Sequence, residues 1–248
     1  MNGRVALVTG GGRGIGREAA LLLAAARARV MITARSESEL ADVGLDYVAA
    51  DLGTSEGCAR AVSETERRLG PVEILVVNHG IGSAHEKLVW EQDPAVWRET
   101  MRINLDGPFE LTRLTVGGMC KRGYGRVVFT SSTAGEKAER SGSAYTASKH
   151  GLIGLARAVA QDAGPFGVTS NAVLPGWVRT AMAERSARTE SERRGISVEE
   201  VWRERASIYP SNRVLEPREV AEVIAFLCSD AAGGVNGEAI TVALGGMW

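Results

Sequence analysis

Neither sign of charge dominates this chain: 29 lysines and arginines stand against 30 aspartates and glutamates, a net charge of −1. A surface with no basic excess has little attraction for phosphate backbones or anionic lipid, so neither nucleic acid nor a membrane is expected as a partner. Cysteine is scarce as well. Cys58, Cys120 and Cys228 are odd in number and far apart, which argues against a disulfide framework and matches no metal-ligand spacing. His79, His85 and His150 form no ligand set either, so no metal is expected, and unpaired thiols suit a reducing, cytoplasmic compartment. No apolar run is long enough to cross a bilayer, and the chain enters a β-like run by Val5 without a charged-then-apolar leader. There is no internal repeat, low-complexity tract or linker.

What the chain does have is a regular alternation. Runs rich in β-branched residues recur at 4–9, 30–33, 47–50, 73–77, 126–130, 168–174 and 239–242. They are continuously apolar, as strands buried on both faces are, and helical patterns at 16–27, 55–69, 94–102, 109–119 and 144–163 lie between them. This predicts one α/β domain over 1–248, a Rossmann-type doubly wound parallel sheet of about seven strands with helices on both faces. The short stretch between Arg35 and Asp51 predicts an abbreviated second helix. Residues 184–205 are dense in both signs of charge and bounded by Trp177 and Tyr209. They read either as a solvated helical excursion or as a mobile substrate lid over about 180–210, since they follow a strand end where open α/β sheets bind ligands. Trp90 and Trp97 read as core packing. An apolar substrate wall from Trp177, Met182, Trp202 and Tyr209 is no better supported than plain packing.

Directly after the first run comes Thr9-Gly10-Gly11-Gly12-Arg13-Gly14-Ile15-Gly16. Glycines let a backbone turn tightly against a pyrophosphate, and the helix that follows offers free N–H groups and a partial positive charge. Tyr145 and Lys149 are four residues apart, one helical turn, and Ser132 precedes Tyr145 by thirteen. A phenol is a poor proton donor or acceptor at neutral pH, and a nearby ammonium is expected to lower its pKa into a useful range. Alone, such a pair is more often surface decoration; behind a glycine loop it points to acid-base chemistry beside a dinucleotide.

Seven motifs stand in one order: the glycine loop, Asp51-Leu52, Asn78-His79-Gly80, Asn104, Ser131-Ser132, Tyr145 with Lys149, and Pro175-Gly176-Trp177-Val178-Arg179-Thr180. In these the chain resembles the short-chain dehydrogenase/reductase family, particularly its 3-oxoacyl-carrier-protein-reductase-like members, over essentially its full length. The resemblance implies pyrophosphate contacts from Gly10, Gly14, Ile15 and Gly16, an adenine site at Asp51 and Leu52, and a ribose side lined by Asn78 and Gly80. Pro175, Gly176, Val178 and Thr180 are implied to flank the nicotinamide. Tyr145 is implied to be the proton donor to a carbonyl oxygen that Ser132 also holds. Lys149 is implied to tune the tyrosine and bind the cofactor ribose, and Asn104 to distort its helix around a water. Ser131 and His150 keep bland readings, a turn residue and a helix-surface residue.

The second strand ends in Ala34-Arg35, where an acid would select NAD through the ribose 2′-OH. Arg13 and Arg35, with no acid beside them, suit a 2′-phosphate. The expected cofactor is therefore NADP (as NADPH), with NAD the alternative. The activity implied is NADPH-dependent reduction of a ketone or 3-oxoacyl group, thioester-linked substrates included, to the secondary alcohol. Rival readings are a dehydrogenase of a hydroxy acid or of a cyclic or aromatic alcohol, 194–200 being similar to 3-hydroxybutyrate dehydrogenases, and a polyketide ketoreductase. A non-catalytic dinucleotide sensor is disfavoured by the retention of both Tyr145 and Lys149. Small residues Ala147, Gly151, Gly154 and Ala158 on one helix, with the family's habit, imply a homotetramer. Two departures stand out: His79 within Asn78-His79-Gly80, and Ala243-Leu244 near the end, where relatives carry an acid.

Overall fold

A strand with no exposed side chain needs cover on both faces, and β1 (Val5–Thr9), β4 (Ile74–Val77), β5 (Gly125–Thr130) and β6 (Val168–Pro175) are buried throughout. In the computed structural model, which describes residues 1–82 and 87–246, they form the centre of one sheet; His85 lies outside the described residues. With β2 (Arg29–Ala34), β3 (Asp46–Ala49) and β7 (Ala239–Val242) the order is β3-β2-β1-β4-β5-β6-β7, seven strands, each pairing parallel. All seven expected runs are strands, within a residue or so at each end. The order reverses between β1 and β4, and there the carboxyl ends open a crevice.

Helices cover both faces: α1 (Gly14–Ala25), α2 (Glu37–Ala41), α3 (Ser55–Leu69), α4 (Pro94–Met101), α5 (Gly107–Arg122), α6 (Ser143–Ala163), α7 (Ala181–Arg194), α8 (Val198–Ser207) and α9 (Pro217–Leu227). One face buries Leu7, Leu75, Phe129 and Leu152, and the other Val8, Ile32, Val76 and Ile224. Side chains of one strand thus feed both cores alternately. Capping sets the helix ends. The Thr54 hydroxyl accepts from Gly57 N at 3.0 Å to start α3, and Gly123 closes α5 in the left-handed region, φ 70°. The second helix is abbreviated, as expected, to five residues. The sequence reading contained no counterpart of α9, although Pro217 at its first turn and the reciprocal Glu216/Glu219 cap are start signals.

Trp90 and Trp97 are not core residues: they are 77% and 39% exposed. Helix α4 is too short to bury more than one side, and among its residues Thr100 takes the inner position. The charged segment after β6 is the expected helical excursion, largely accessible to solvent, but it has a small core of its own. Helices α7 and α8 form a hairpin around Ala187, Val201, Trp202 and Tyr209. At its centre lies Arg205, 6% exposed, its guanidinium 3.8 Å from the Trp177 ring centroid and 5.1 Å from that of Trp202. It donates to Ala183 O at 3.0 Å and to Glu190 at 2.9 Å, so Trp177 and Trp202 grip an arginine within the hairpin. Arg205→Ala is expected to destabilise the hairpin by about 2–3 kcal/mol, by leaving these partners unpaired. Amide exchange should quicken across 181–207 and stay slow in the central strands.

Candidate active site

The glycine turn follows from sterics. Gly10 (φ +64°) and Gly14 (φ +54°) occupy conformations that side chains resist, and a Cβ on Gly16 would sit 2.3 Å from Gly10 O. The chain therefore folds back on itself and starts α1 at the crevice. Arg13 precedes α1 in an extended conformation and provides no side-chain cap, so the first-turn N–H groups point unclaimed from the helix end. Uncapped donors above a turn that only glycine permits fit a pyrophosphate. Thr180 faces this turn: its Cγ2 would be 3.3 Å from a Cβ on Gly14, and its hydroxyl caps α7 at Ala183 N.

His79, a departure from the family pattern, has a structural task. Its Nδ1 lies 2.8 Å from the Thr9 hydroxyl, which also accepts from Asn78 N at 2.9 Å, so the ends of β1 and β4 are tied together. Burial, with the Lys149 charge nearby, pushes the imidazole down to about 3, and the ring is neutral. Asn78 also reaches back to Gly10 O at 3.5 Å.

Residues 102–106 form a π-turn between α4 and α5, the helix distortion expected at Asn104. Asn104 is fully buried. Its Oδ1 accepts from Ile81 N at 2.8 Å, and its Nδ2 donates to Ile81 O at 3.0 Å and Ser148 Oγ at 3.2 Å. Gly80 lies between groups of the site, since a Cβ there would be 3.2 Å from Asn104 Oδ1 and 3.7 Å from Lys149 Nζ.

Lys149 is 5% exposed, and its Nζ donates to Thr130 O at 2.9 Å, the last carbonyl of β5. Burial pushes its pKa down to about 8. Tyr145 is one turn away on α6, the Lys149 Nζ 5.6 Å from its ring centroid. Burial pushes the phenol up to about 12, against a lowering by its hydrogen bond to Ser132. This corrects the expected direction. Desolvation, helped by the Glu139 charge, outweighs the Ser132 hydrogen bond, and the phenol stays protonated at neutral pH. Ser132 caps the following turn through Ala134 N at 3.1 Å, while Ser131 turns away and donates to Lys149 O at 2.8 Å. Of the two serines, Ser132 is thus the one that meets Tyr145. His150 is exposed on the helix surface, as expected.

Beyond β3, Asp51 accepts from Gly53 N at 3.0 Å and lies 3.5 Å from Arg102, and Leu52 is buried beneath. Arg35 is exposed at the end of β2. Arg13 is not free of acids, contrary to expectation: its Nη1 pairs with Glu39 Oε1 at 2.8 Å. The two are 26 positions apart, and spacing alone carries no sign of the pairing. Beyond β6, a Cβ on Gly176 would meet the Tyr209 hydroxyl at 2.3 Å, Trp177 N donates to that hydroxyl at 2.6 Å, and Val178 is buried. Tyr209 thus shapes the strand end after Pro175 and is not an exposed wall of the crevice. Among the described residues no cluster suits a metal, and no helix is long and apolar enough to cross a membrane.

An uncapped helix start at the switch point of a parallel sheet, beside a phenol and a buried amine, defines a dinucleotide-dependent oxidoreductase acting on CH–OH/C=O groups. A family profile described as Enoyl-(Acyl carrier protein) reductase matches residues 10–247. The chain is 36% identical to acetoacetyl-CoA reductase from Rhizobium meliloti over 244 residues, 96% of each protein. Among solved structures it matches levodione reductase with a TM-score of 0.94 at 30% identity, covering 99% of this chain and 98% of that one. It also matches a variant actinorhodin polyketide ketoreductase with NADPH, with a TM-score of 0.89 at 34% identity over 98% of both. The chain belongs to the short-chain dehydrogenase/reductase family.

Holding Lys149 charged in this place opposes folding. Its folded pKa of about 8 lies below the ordinary 10.5, so the unfolded chain keeps the proton longer and stability rises with pH between those values. Lys149→Met should raise stability below pH 8 by about 2 kcal/mol, a desolvation gain of about 3 less about 1 for the lost Thr130 hydrogen bond. Chemical denaturation across the pH range should show the gain shrinking as pH rises from about 8 towards 10.5.

Proposed function

We propose that this enzyme uses NADPH to reduce a ketone or 3-oxoacyl group, thioester-linked substrates included, to the secondary alcohol. The convergence of Ser132, Tyr145, Lys149 and Asn104 at the carboxyl ends of neighbouring strands carries this reading. The names of its relatives, acetoacetyl-CoA reductase and polyketide ketoreductase, support the substrate class. Gly10, Gly14, Ile15 and Gly16 would hold the pyrophosphate, Asp51 and Leu52 the adenine, and Asn78 and Gly80 the ribose. Pro175, Gly176, Val178 and Thr180 would flank the nicotinamide, and Arg13 and Arg35 would receive the 2′-phosphate. When bound, the cofactor supplies the hydride.

The remaining work falls to the chain's own side chains. Ser132 and Tyr145 offer two hydroxyl donors to one oxygen, the requirement for stabilising a developing alkoxide. Tyr145, protonated at neutral pH, gives up its proton there. Lys149 stands beside it to stabilise the phenolate left behind and to grip the cofactor ribose. Asn104, held at the π-turn, orients the water through which the proton is replaced. The α7–α8 hairpin and its flanks, about 180–210, form the substrate lid of one dinucleotide-binding domain over 1–248. The exposed Gly154 and Ala158 on α6 suit close approach by a second subunit in a homotetramer, and three free cysteines suit the cytoplasm.

Tyr145→Phe removes the proton donor and little else. Turnover of acetoacetyl-CoA, followed at the nicotinamide absorbance, should fall by about 10²–10⁴, with NADPH binding by fluorescence titration retained. Full turnover in the variant would refute the proposed role.

A further inference from the structure

We propose that Glu39 is a specificity-determining residue that opposes binding of the 2′-phosphate and so narrows the preference for NADPH over NADH. The inference rests on the NADPH reading above and concerns how strong that preference is. Glu39 lies five residues after the end of β2 and folds back over the glycine turn. A Cβ on Gly12 would be 3.1 Å from Glu39 Cβ, and the Glu39 carboxylate pairs with Arg13 at 2.8 Å. Both partners are accessible, with side chains 50% and 37% exposed.

The other charges at this end already have company. Arg102 is bound to Glu99 and lies beside Asp51, and Arg35 shares the field of Glu99. Glu39 is therefore the acid that directly contests Arg13. A dianionic phosphate that grips Arg13 must displace this carboxylate and then stand close to it. A ribose 2′-OH demands neither, so the Arg13–Glu39 pair survives NADH binding. The effect has the modest size of an exposed pair plus a screened like-charge repulsion.

The test uses the whole chain, titrated with NADPH and with NADH by nicotinamide fluorescence, for wild type, Glu39→Gln, Arg13→Ala and the double variant. Glu39→Gln should tighten NADPH by about five-fold and alter NADH by less than about two-fold, in keeping with an exposed pair. Raising the salt concentration should shrink the NADPH gain, and in the Arg13→Ala background the substitution should lose most of it. Thermal melting of each variant checks that both surface changes leave the fold intact. Unchanged or weaker NADPH binding by Glu39→Gln, while Arg13→Ala weakens NADPH, overturns the role of Glu39 and leaves the NADPH reading standing. If Arg13→Ala leaves NADPH affinity untouched, the phosphate does not sit at Arg13 and both fall.

Discussion

Parallel pairing places the carboxyl ends of β1, β4, β5 and β6 side by side, and every group of the site hangs from that edge. The register aligns Val8 with Val76, Val77 with Phe129 and Thr130 with Val173. One residue or a few beyond those pairs stand Gly10, Asn78, Ser132 and Pro175. Because the strands are buried on both faces, a slip in register would move apolar side chains between the two cores, so the edge is held by the same burial that stabilises the fold. The Thr9–His79 contact fastens the edge locally. Helix α6 then needs only to dock once to bring both Tyr145 and Lys149 to it.

That docking drives two ionisable groups out of water. Burial moves the phenol up to about 12 and the amine down to about 8. Each shift favours the uncharged form, so the site is poised with a protonated acid and an amine that gives up its charge easily. The buried ammonium opposes stability at neutral pH, whereas the phenol, uncharged there in folded and unfolded chain alike, does not. Asn104 shows the same trade at the backbone level: the π-turn interrupts the regular pattern between α4 and α5, and the buried carboxamide bonds to Ile81 and Ser148.

Much of this was readable in the chain because strands buried on both faces leave long apolar runs, because glycine and serine fall at strand ends, and because Tyr145 and Lys149 stand one helical turn apart. The strands needed only that local information, whereas the roles expected of Asn104, Ser132, Tyr145 and Lys149 came from the family resemblance. What was not legible arises from contacts distant in sequence or from burial itself. Charge density in 184–205 suggested a solvated segment, yet it conceals Arg205 between two tryptophans. The Tyr145–Lys149 spacing indicated proximity but not the balance of desolvation against charge. Glu39 gave no signal beside Arg13, since helix α1 and strand β2 separate them in the chain and only the fold joins them. Size suggests burial for Trp90 and Trp97, but the turn Val89–Glu91 buries no residue and the two-turn α4 buries only Thr100.

Two hydroxyls, from Tyr145 and Ser132, suit a carbonyl oxygen as the acceptor, although the matching family profile is described as an enoyl reductase. The position of the transferred hydride decides between these chemistries. With NADPH deuterated at the transferable ring carbon, mass and NMR analysis of the product from acetoacetyl-CoA should find the label on the carbinol carbon of a 3-hydroxy thioester. Label appearing only in the saturated chain of a product from crotonyl-CoA, with acetoacetyl-CoA left unreduced, would contradict carbonyl reduction.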